Sequence, residues 1–279
     1  MKRIHNNALT KPLTNAILSF SLIFSGGAYS TPADVDKPII IVGASFASAS
    51  FPFNDALEAP LGGVAVNLGA YLSFGNALIK DPRLPGYVIN EAQAGATTFD
   101  HPGCNPGPGC DNGNWEGYEK QLYKGLKRVS IPLYPPISTA KYAVITIAND
   151  CLHSDAFGIP QDQAVPCSMN EINAYIDRLL NVGQQALNAG ITPIFDIYPH
   201  YSSLNLSRVA AQFGLLWIAD EAYYNQLRNT HLTRMTSELP GAIVMDIWAD
   251  METDDGIHPN EKSMRKAAAM ISNFIFHNN

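Results

Sequence analysis

Short apolar runs recur along the chain at wide intervals, with segments of helical spacing between them. Lys37 to Val42 (KPIIIV) is one such run; Tyr87 to Asn90, Tyr142 to Ile147 (YAVITI), Ile191 to Tyr198 and Ala242 to Ile247 are the others. Runs of this length, rich in Ile and Val, predict strands buried on both faces. Val64 to Ile79 predicts a helix weakened by Gly69 and Gly75. Trp115, Tyr118, Leu122 and Leu126 recur at helical spacing and predict a core-facing stripe. Ser168-Met169-Asn170-Glu171 has the form of a capping box, the Ser hydroxyl capping the first turn while the Glu reaches back. It opens a helix expected to end near Gly190. Leu206 to Asn229 reads as helical with a break at Gly214. The last helix carries Met264, Ala268, Ile271 and Ile275 on one face, with Pro259 expected in its first turn. Ser48 to Pro60 and the stretch His101 to Asn114, dense in Gly, Pro and Cys, predict loops.

Five short strands alternating with helices imply an α/β fold, a mainly parallel five-stranded sheet with helices on both faces. In such a sheet a ligand site lies beyond the carboxyl ends of the strands. Ser45, Gly95, Asn149 and the segment Asp255 to His258 each follow a strand candidate, directly or within a few residues. They are therefore expected to converge on one edge.

The amino terminus stands apart from this pattern. Lys2, Arg3 and Lys11 precede a short apolar core from Ala16 to Phe24, and Ala28-Tyr29-Ser30 supplies small residues at cleavage spacing. This is the pattern of a secretory signal peptide over residues 1–30, leaving 31–279 as one domain. The apolar core falls short of the ~20 residues that span a bilayer, so no integral membrane segment is expected after cleavage. The leader takes three of the 18 basic residues and none of the 25 acidic ones, leaving 15 against 25, a net charge of −10. That acidity, without a basic cluster, argues against nucleic acid and anionic membrane surfaces as partners. The four cysteines, Cys104, Cys110, Cys151 and Cys167, all follow the leader. In an exported chain an even count suggests two disulfides. Proximity favours Cys104–Cys110 and Cys151–Cys167, although three pairings exist. A zinc site is the weaker reading, because no His lies at ligand spacing among them. Export points to a secreted or periplasmic protein.

The chemistry-bearing residues come in a fixed order: Gly43-Ala44-Ser45-Phe46, Gln93-Ala94-Gly95-Ala96, Ile147-Ala148-Asn149-Asp150 and Asp255-Gly256-Ile257-His258. Together they resemble the blocks of the SGNH (GDSL-type) hydrolase family, and the resemblance spans Ile39 to Phe276. It implies a three-layer α/β/α, flavodoxin-like fold and assigns the roles. Ser45 is the implied nucleophile, His258 its base, and Asp255 the carboxylate that orients the imidazole. The Ser45 N–H, the Gly95 N–H and the Asn149 amide are the implied oxyanion donors. The chain departs from the family at Ala44, where Asp is usual, and at Ile147, where Gly is usual. Asp254 is the alternative to Asp255, and Ser48 and Ser50 are alternatives to Ser45. Asp150 reads as a support of its loop. Of the other histidines, His153 and His200 are candidates to line the cleft, while His101, His231 and His277 lack such a neighbourhood.

The resemblance implies a serine ester hydrolase that needs no cofactor and no metal. A lipid or other acyl ester is the favoured substrate, with Phe46, Phe51, Phe53 and Trp115 as candidate walls of an acyl groove. Carbohydrate O-acetyl ester hydrolysis and acyl transfer to another alcohol are the alternatives of the same fold. A catalytically inactive binding protein is the alternative of another class. The loop Thr97 to Asn114, next to Gly95, is a candidate lid or specificity element.

Overall fold

The computed structural model describes residues 37–48, 73–84, 88–102, 114–131, 137–138, 140–152, 165–213, 218 and 220–278. The expected leader, most of the Ser48 to Pro60 loop with Ser50, Phe51 and Phe53, the first part of the Val64 to Ile79 helix, Cys104, Cys110 and His153 lie outside these residues.

The central sheet forms from the apolar runs. Its strands are β1 (Ile39–Val42), β2 (Val88–Asn90), β7 (Tyr142–Ile145), β8 (Thr192–Asp196) and β9 (Ile243–Met245), in the spatial order β2-β1-β7-β8-β9. Every neighbouring pair in it runs parallel. β1 and β7 are buried along their whole length, as their unbroken apolar sequences require. Two short antiparallel pairs complete the strands: β3 (His101–Pro102) with β4 (Asn114–Trp115), and β5 (Ser130–Ile131) with β6 (Ile137–Ser138).

The helices are α1 (Ser45–Ser48), α2 (Phe74–Ile79), α3 (Tyr118–Val129), α4 (Met169–Asn188), α5 (Leu206–Phe213), α6 (Glu221–Glu238) and α7 (Glu261–His277). The register shows why they fall in two layers. Ile39 pairs with Tyr142 and Ile40 with Ala143, so these couples point to opposite faces. Tyr142 meets Phe274 of α7 edge-on at 6.3 Å. On the other face Ile40 lies so close to α3 that a Cβ on Gly125 would stand 2.6 Å from its Cγ2. Phe195 is on that second face too, under Gly183 of α4. The result is a three-layer α/β/α sandwich. Fully burying each Ile or Val of β1 is worth roughly 1.5–3 kcal/mol.

Four local readings change. Trp115 belongs to β4, opposite His101, and α3 begins only at Tyr118. The buried face of α3 is Tyr118, Gln121, Leu122, Gly125 and Val129. The helix expected over Val64 to Ile79 does not run through Ser73, which is extended and whose hydroxyl caps Asn76 N–H at 3.0 Å; its described part is Phe74–Ile79. The helical region after Leu206 has α5 ending at Phe213, next to the expected break at Gly214, but the second helix, capped by Asp220, runs on to Glu238 and not only to Asn229. Pro259 stands before α7, bridged to Thr253, because Asn260 takes the cap and accepts from Ser263 N–H at 3.0 Å. The capping box at Ser168 and Glu171 is present in full.

Candidate functional site

Ser45, Gly95, Asn149 and the Asp255–His258 turn all lie beyond the carboxyl edge of the sheet, and hydrogen bonds between successive strand ends tie the first three together. Gln93 N–H donates to Gly43 O at 3.1 Å, Thr146 N–H to Val42 O at 2.9 Å, and Asn149 N–H to Ala96 O at 3.3 Å.

Ser45 opens α1 directly after β1 and is buried with Phe46 and Ala47. As the first residue of a helix its N–H has no intrahelical acceptor. The turn before it is tight: a Cβ on Gly43 would lie 2.1 Å from Thr146 Oγ1. Gly43 N–H donates to Gln121 Oε1 at 2.8 Å, and Gln121 Nε2 donates to Glu116 O at 2.9 Å, so α3 holds the turn from below. Ser48, the alternative nucleophile, lies in the last position of α1 with a buried hydroxyl that has no hydrogen-bond partner among the described residues.

The Asp255–His258 turn wraps around one carboxylate. Asp255 Oδ2 accepts from His258 Nδ1 at 2.6 Å; Oδ1 accepts from Thr253 Oγ1 at 3.0 Å, Ile257 N–H at 2.9 Å and His258 N–H at 2.8 Å. Burial alone would raise the Asp255 pKa, but the His258 hydrogen bond and charge, with the two backbone N–H groups, hold it well below the usual carboxylate range. A carboxylate on Nδ1 leaves Nε2 as the nitrogen that takes up a proton. Asp254, the alternative, is exposed. The His258 ring is 5.8 Å from that of Phe46, the residue after Ser45. Phe46 is buried between His258 and Trp248, so it is packing beneath the base and not the wall of an open acyl groove.

Asn149 stands on a loop held from many sides. Its Nδ2 donates to Ala96 O at 3.2 Å. Tyr118 Oη donates to Ile147 O at 2.9 Å, Tyr198 Oη to Ala148 O at 3.1 Å, and Tyr223 Oη to Cys151 O at 2.9 Å. Ile147 N–H donates to Asp196 Oδ1 and Trp248 Nε1 to Asp196 Oδ2, both at 2.7 Å. Burial pushes the Asp196 pKa up to about 8, against the pull of these two donors. Asp150 supports the loop as expected: its carboxylate accepts from Thr98 N–H at 2.8 Å, from the Thr98 hydroxyl and from Arg178 Nη2 at 2.8 Å. Burial nevertheless raises its pKa. A disulfide joins Cys151 to Cys167 across 16 positions, a closure worth ~3 kcal/mol in the chain-entropy account.

Gly95 has φ +85°, the left-handed region open to glycine. Among the described residues its N–H has no acceptor. His200 is half exposed and sits against Arg228 and Asp246. His231 is buried among Tyr175 and Tyr198, and among the described residues neither ring nitrogen has a hydrogen-bond partner. His101 stacks on Trp115, and His277 ends α7.

Sequence reasoning missed Asp196, Gln121, Thr98, Arg178 and the three tyrosines. None lies in a motif, although a charged Asp ending the apolar run TPIFD was a visible signal for Asp196. Chemically, the arrangement offers an imidazole oriented by a carboxylate and packed against the residue after Ser45, with N–H donors on the neighbouring strand ends. No group of three or more His, Cys, Asp or Glu residues that could hold a metal occurs among the described residues.

No protein-family model matches the sequence, and no curated protein sequence matches it. Solved structures do. A carbohydrate acetylesterase from Sinorhizobium meliloti superposes with a TM-score of 0.54 at 12% identity, covering 87% of this chain and 100% of its own. A carbohydrate acetylesterase family member from the same organism gives 0.50 at 15% identity, with 86% and 99% covered. An M. smegmatis aryl esterase in an inhibitor-bound form gives 0.50 at 15% identity, with 86% and 98% covered. At these identities the likeness is one of architecture: the chain shares the three-layer α/β/α fold of these esterases.

Proposed function

We propose that this chain is a serine ester hydrolase of SGNH type. The observation that carries the reading is the Asp255–His258 pair beside the Ser45 turn. His258 Nε2 takes the Ser45 proton as the hydroxyl attacks the ester carbonyl, and Asp255 stabilises the resulting imidazolium. The tetrahedral oxyanion is received by the Ser45 and Gly95 N–H groups and the Asn149 amide, each donor worth ~3–4 kcal/mol in the transition state. Collapse expels the alcohol, which takes the proton from His258, and leaves acyl-Ser45. Water, deprotonated by His258, then releases the acid.

An acyl ester of a small molecule or lipid is the substrate class. A carbohydrate O-acetyl ester is the second reading, favoured because two of the superposing structures are described as carbohydrate acetylesterases. The Cys151–Cys167 disulfide supports export to an oxidising compartment, in keeping with a leader over residues 1–30. Hydrolysis of p-nitrophenyl esters from acetate to palmitate, wild type beside Ser45→Ala, tests the reading. Activity lost in the variant supports it, and the chain-length optimum separates acetyl from long-chain use. A folded wild type inactive at every length would favour the binding protein.

A further inference from the structure

The peptide that presents the Gly95 N–H is aimed by a side chain twenty positions further along. Residues 93–96 form a turn closed by Ala96 N–H donating to Gln93 O at 3.0 Å. Gly95 occupies its third position with φ +85°. That value belongs to a type II turn, whose central peptide faces the opposite way from that of a type I turn. The mirror form of type I would need Ala94 in the left-handed region as well, which an alanine resists. The central peptide here joins the Ala94 carbonyl to the Gly95 N–H. A trans peptide points its C=O and its N–H in opposite directions. Whatever holds the Ala94 oxygen therefore aims the Gly95 N–H.

Trp115 holds it. Its indole Nε1–H donates to Ala94 O at 2.6 Å. The ring also fills the space beside Gly95, where a Cβ would lie 2.8 Å from Nε1 and 2.9 Å from Cε2. His101 backs the indole, stacked at 4.6 Å between ring centroids with 18° between planes, and its Nε2 lies 3.4 Å from Gly95 O. The two residues are register partners in the β3–β4 pair. The short antiparallel pair outside the main sheet thus carries a latch onto the turn.

Glycine itself does not choose between the two turn forms, since it populates positive and negative φ about equally. We propose that Trp115 is a positioning residue that holds the Gly95 N–H in its donating orientation, against a peptide flip that would turn the Ala94 carbonyl toward the developing oxyanion. The inference rests on the reading of this site as an acyl-transfer centre. A misdirected donor weakens the transition state more than the bound ester, so kcat falls while KM stays.

The test uses the full chain with Trp115→Phe, and with Trp115 replaced by the isostere benzothienylalanine, which keeps the stacked ring and loses only the N–H. Turnover of p-nitrophenyl acetate is measured alongside inhibition by phenylboronic acid, which forms a tetrahedral adduct on an activated serine. The isostere is expected to lower kcat about 10- to 100-fold. Its KM should stay near wild type, its boronate affinity should fall by a similar factor, and its melting temperature should be unchanged. Wild-type kcat and boronate affinity in the isostere would overturn the proposal, as would a rise in KM with boronate binding intact. Ser45→Ala separates the two levels. If it is inactive while the isostere behaves as wild type, only the role of Trp115 falls. If it retains activity, the acyl-serine reading falls first.

Discussion

The two halves of the candidate site are held in opposite ways. The Asp255–His258 contact is held locally: the hydrogen bonds described at the Asp255 carboxylate come from residues two or three positions away. The Asn149 loop is held by the rest of the molecule: its partners Tyr118, Asp196, Tyr198, Thr98 and Tyr223 lie 29 to 72 positions away. A base must be oriented relative to one carboxylate, which a short motif can do alone. A donor must stay still while charge develops in front of it, which calls for a fixed frame. Loss of the Asp255–His258 contact should therefore act mainly on chemistry, while damage to the frame, or to the point where the turn meets α5, should affect both.

The largest expected effect comes from Asp255→Asn. It keeps the size of the side chain but favours the wrong tautomer of His258, and kcat should fall on the order of 10³- to 10⁴-fold. The same variant sharpens the pH comparison. The Asp255 pKa is lower folded than unfolded, so its stabilisation is present above its ordinary value of 3.8 and is lost as pH falls below that value. The acid limb of a denaturant-stability profile should be shallower in Asp255→Asn than in wild type.

Gly256→Ala attacks the same turn through its seat. Gly256 has φ +104°, and a Cβ there would lie 2.4 Å from Asn205 O. Gly256 O accepts from Asn205 N–H at 2.7 Å, so a shift at this point uncouples the turn from α5. A loss of about 1–3 kcal/mol or more in urea unfolding is expected, with a fall in kcat.

On the frame, Asp196→Ala strands Ile147 N–H and Trp248 Nε1–H, two buried donors. About 2–4 kcal/mol should be lost, and kcat should fall with it, because the Asn149 loop and the Trp248 support of Phe46 share this carboxylate. Tyr198→Phe should cost about 1–2 kcal/mol by leaving Ala148 O unpaired.

The effect at His231 appears only as the pH falls. Burial pulls its pKa down from 6.5 to about 3, so the folded state stays neutral while the unfolded chain takes up a proton. Wild-type stability should therefore fall as pH drops below 6.5, by at most ~1.4 kcal/mol per pH unit. His231→Phe removes two buried ring nitrogens and should flatten that slope between pH 6.5 and pH 4. Denaturant unfolding at several pH values reads it.

The same contrast decides what the sequence reveals. The sheet was legible because each strand is a short apolar run with no competing period. The turn was legible because Asp255 and His258 carry their own hydrogen bonds at fixed spacing. The frame was not. Tyr118 reads as one member of an apolar stripe, and nothing in its neighbourhood announces that its hydroxyl meets Ile147 O. Trp115 fitted the helical spacing of Tyr118 and Leu122, yet it pairs across two antiparallel strands with His101, a contact set by the fold and not by local propensity. Asn260 displaced the expected start of the last helix because a cap needs only one well-placed oxygen, which periodicity does not register.

The central claim is a covalent intermediate on Ser45. The most direct measurement is reaction of the wild-type protein with a fluorophosphonate, followed by mass spectrometry of its peptides. A single phosphonyl adduct on the peptide containing Ser45, absent after Ser45→Ala and strongly slowed in Asp255→Asn, is the result predicted here. Absence of any adduct on the folded protein, or an adduct on a different serine, would contradict it.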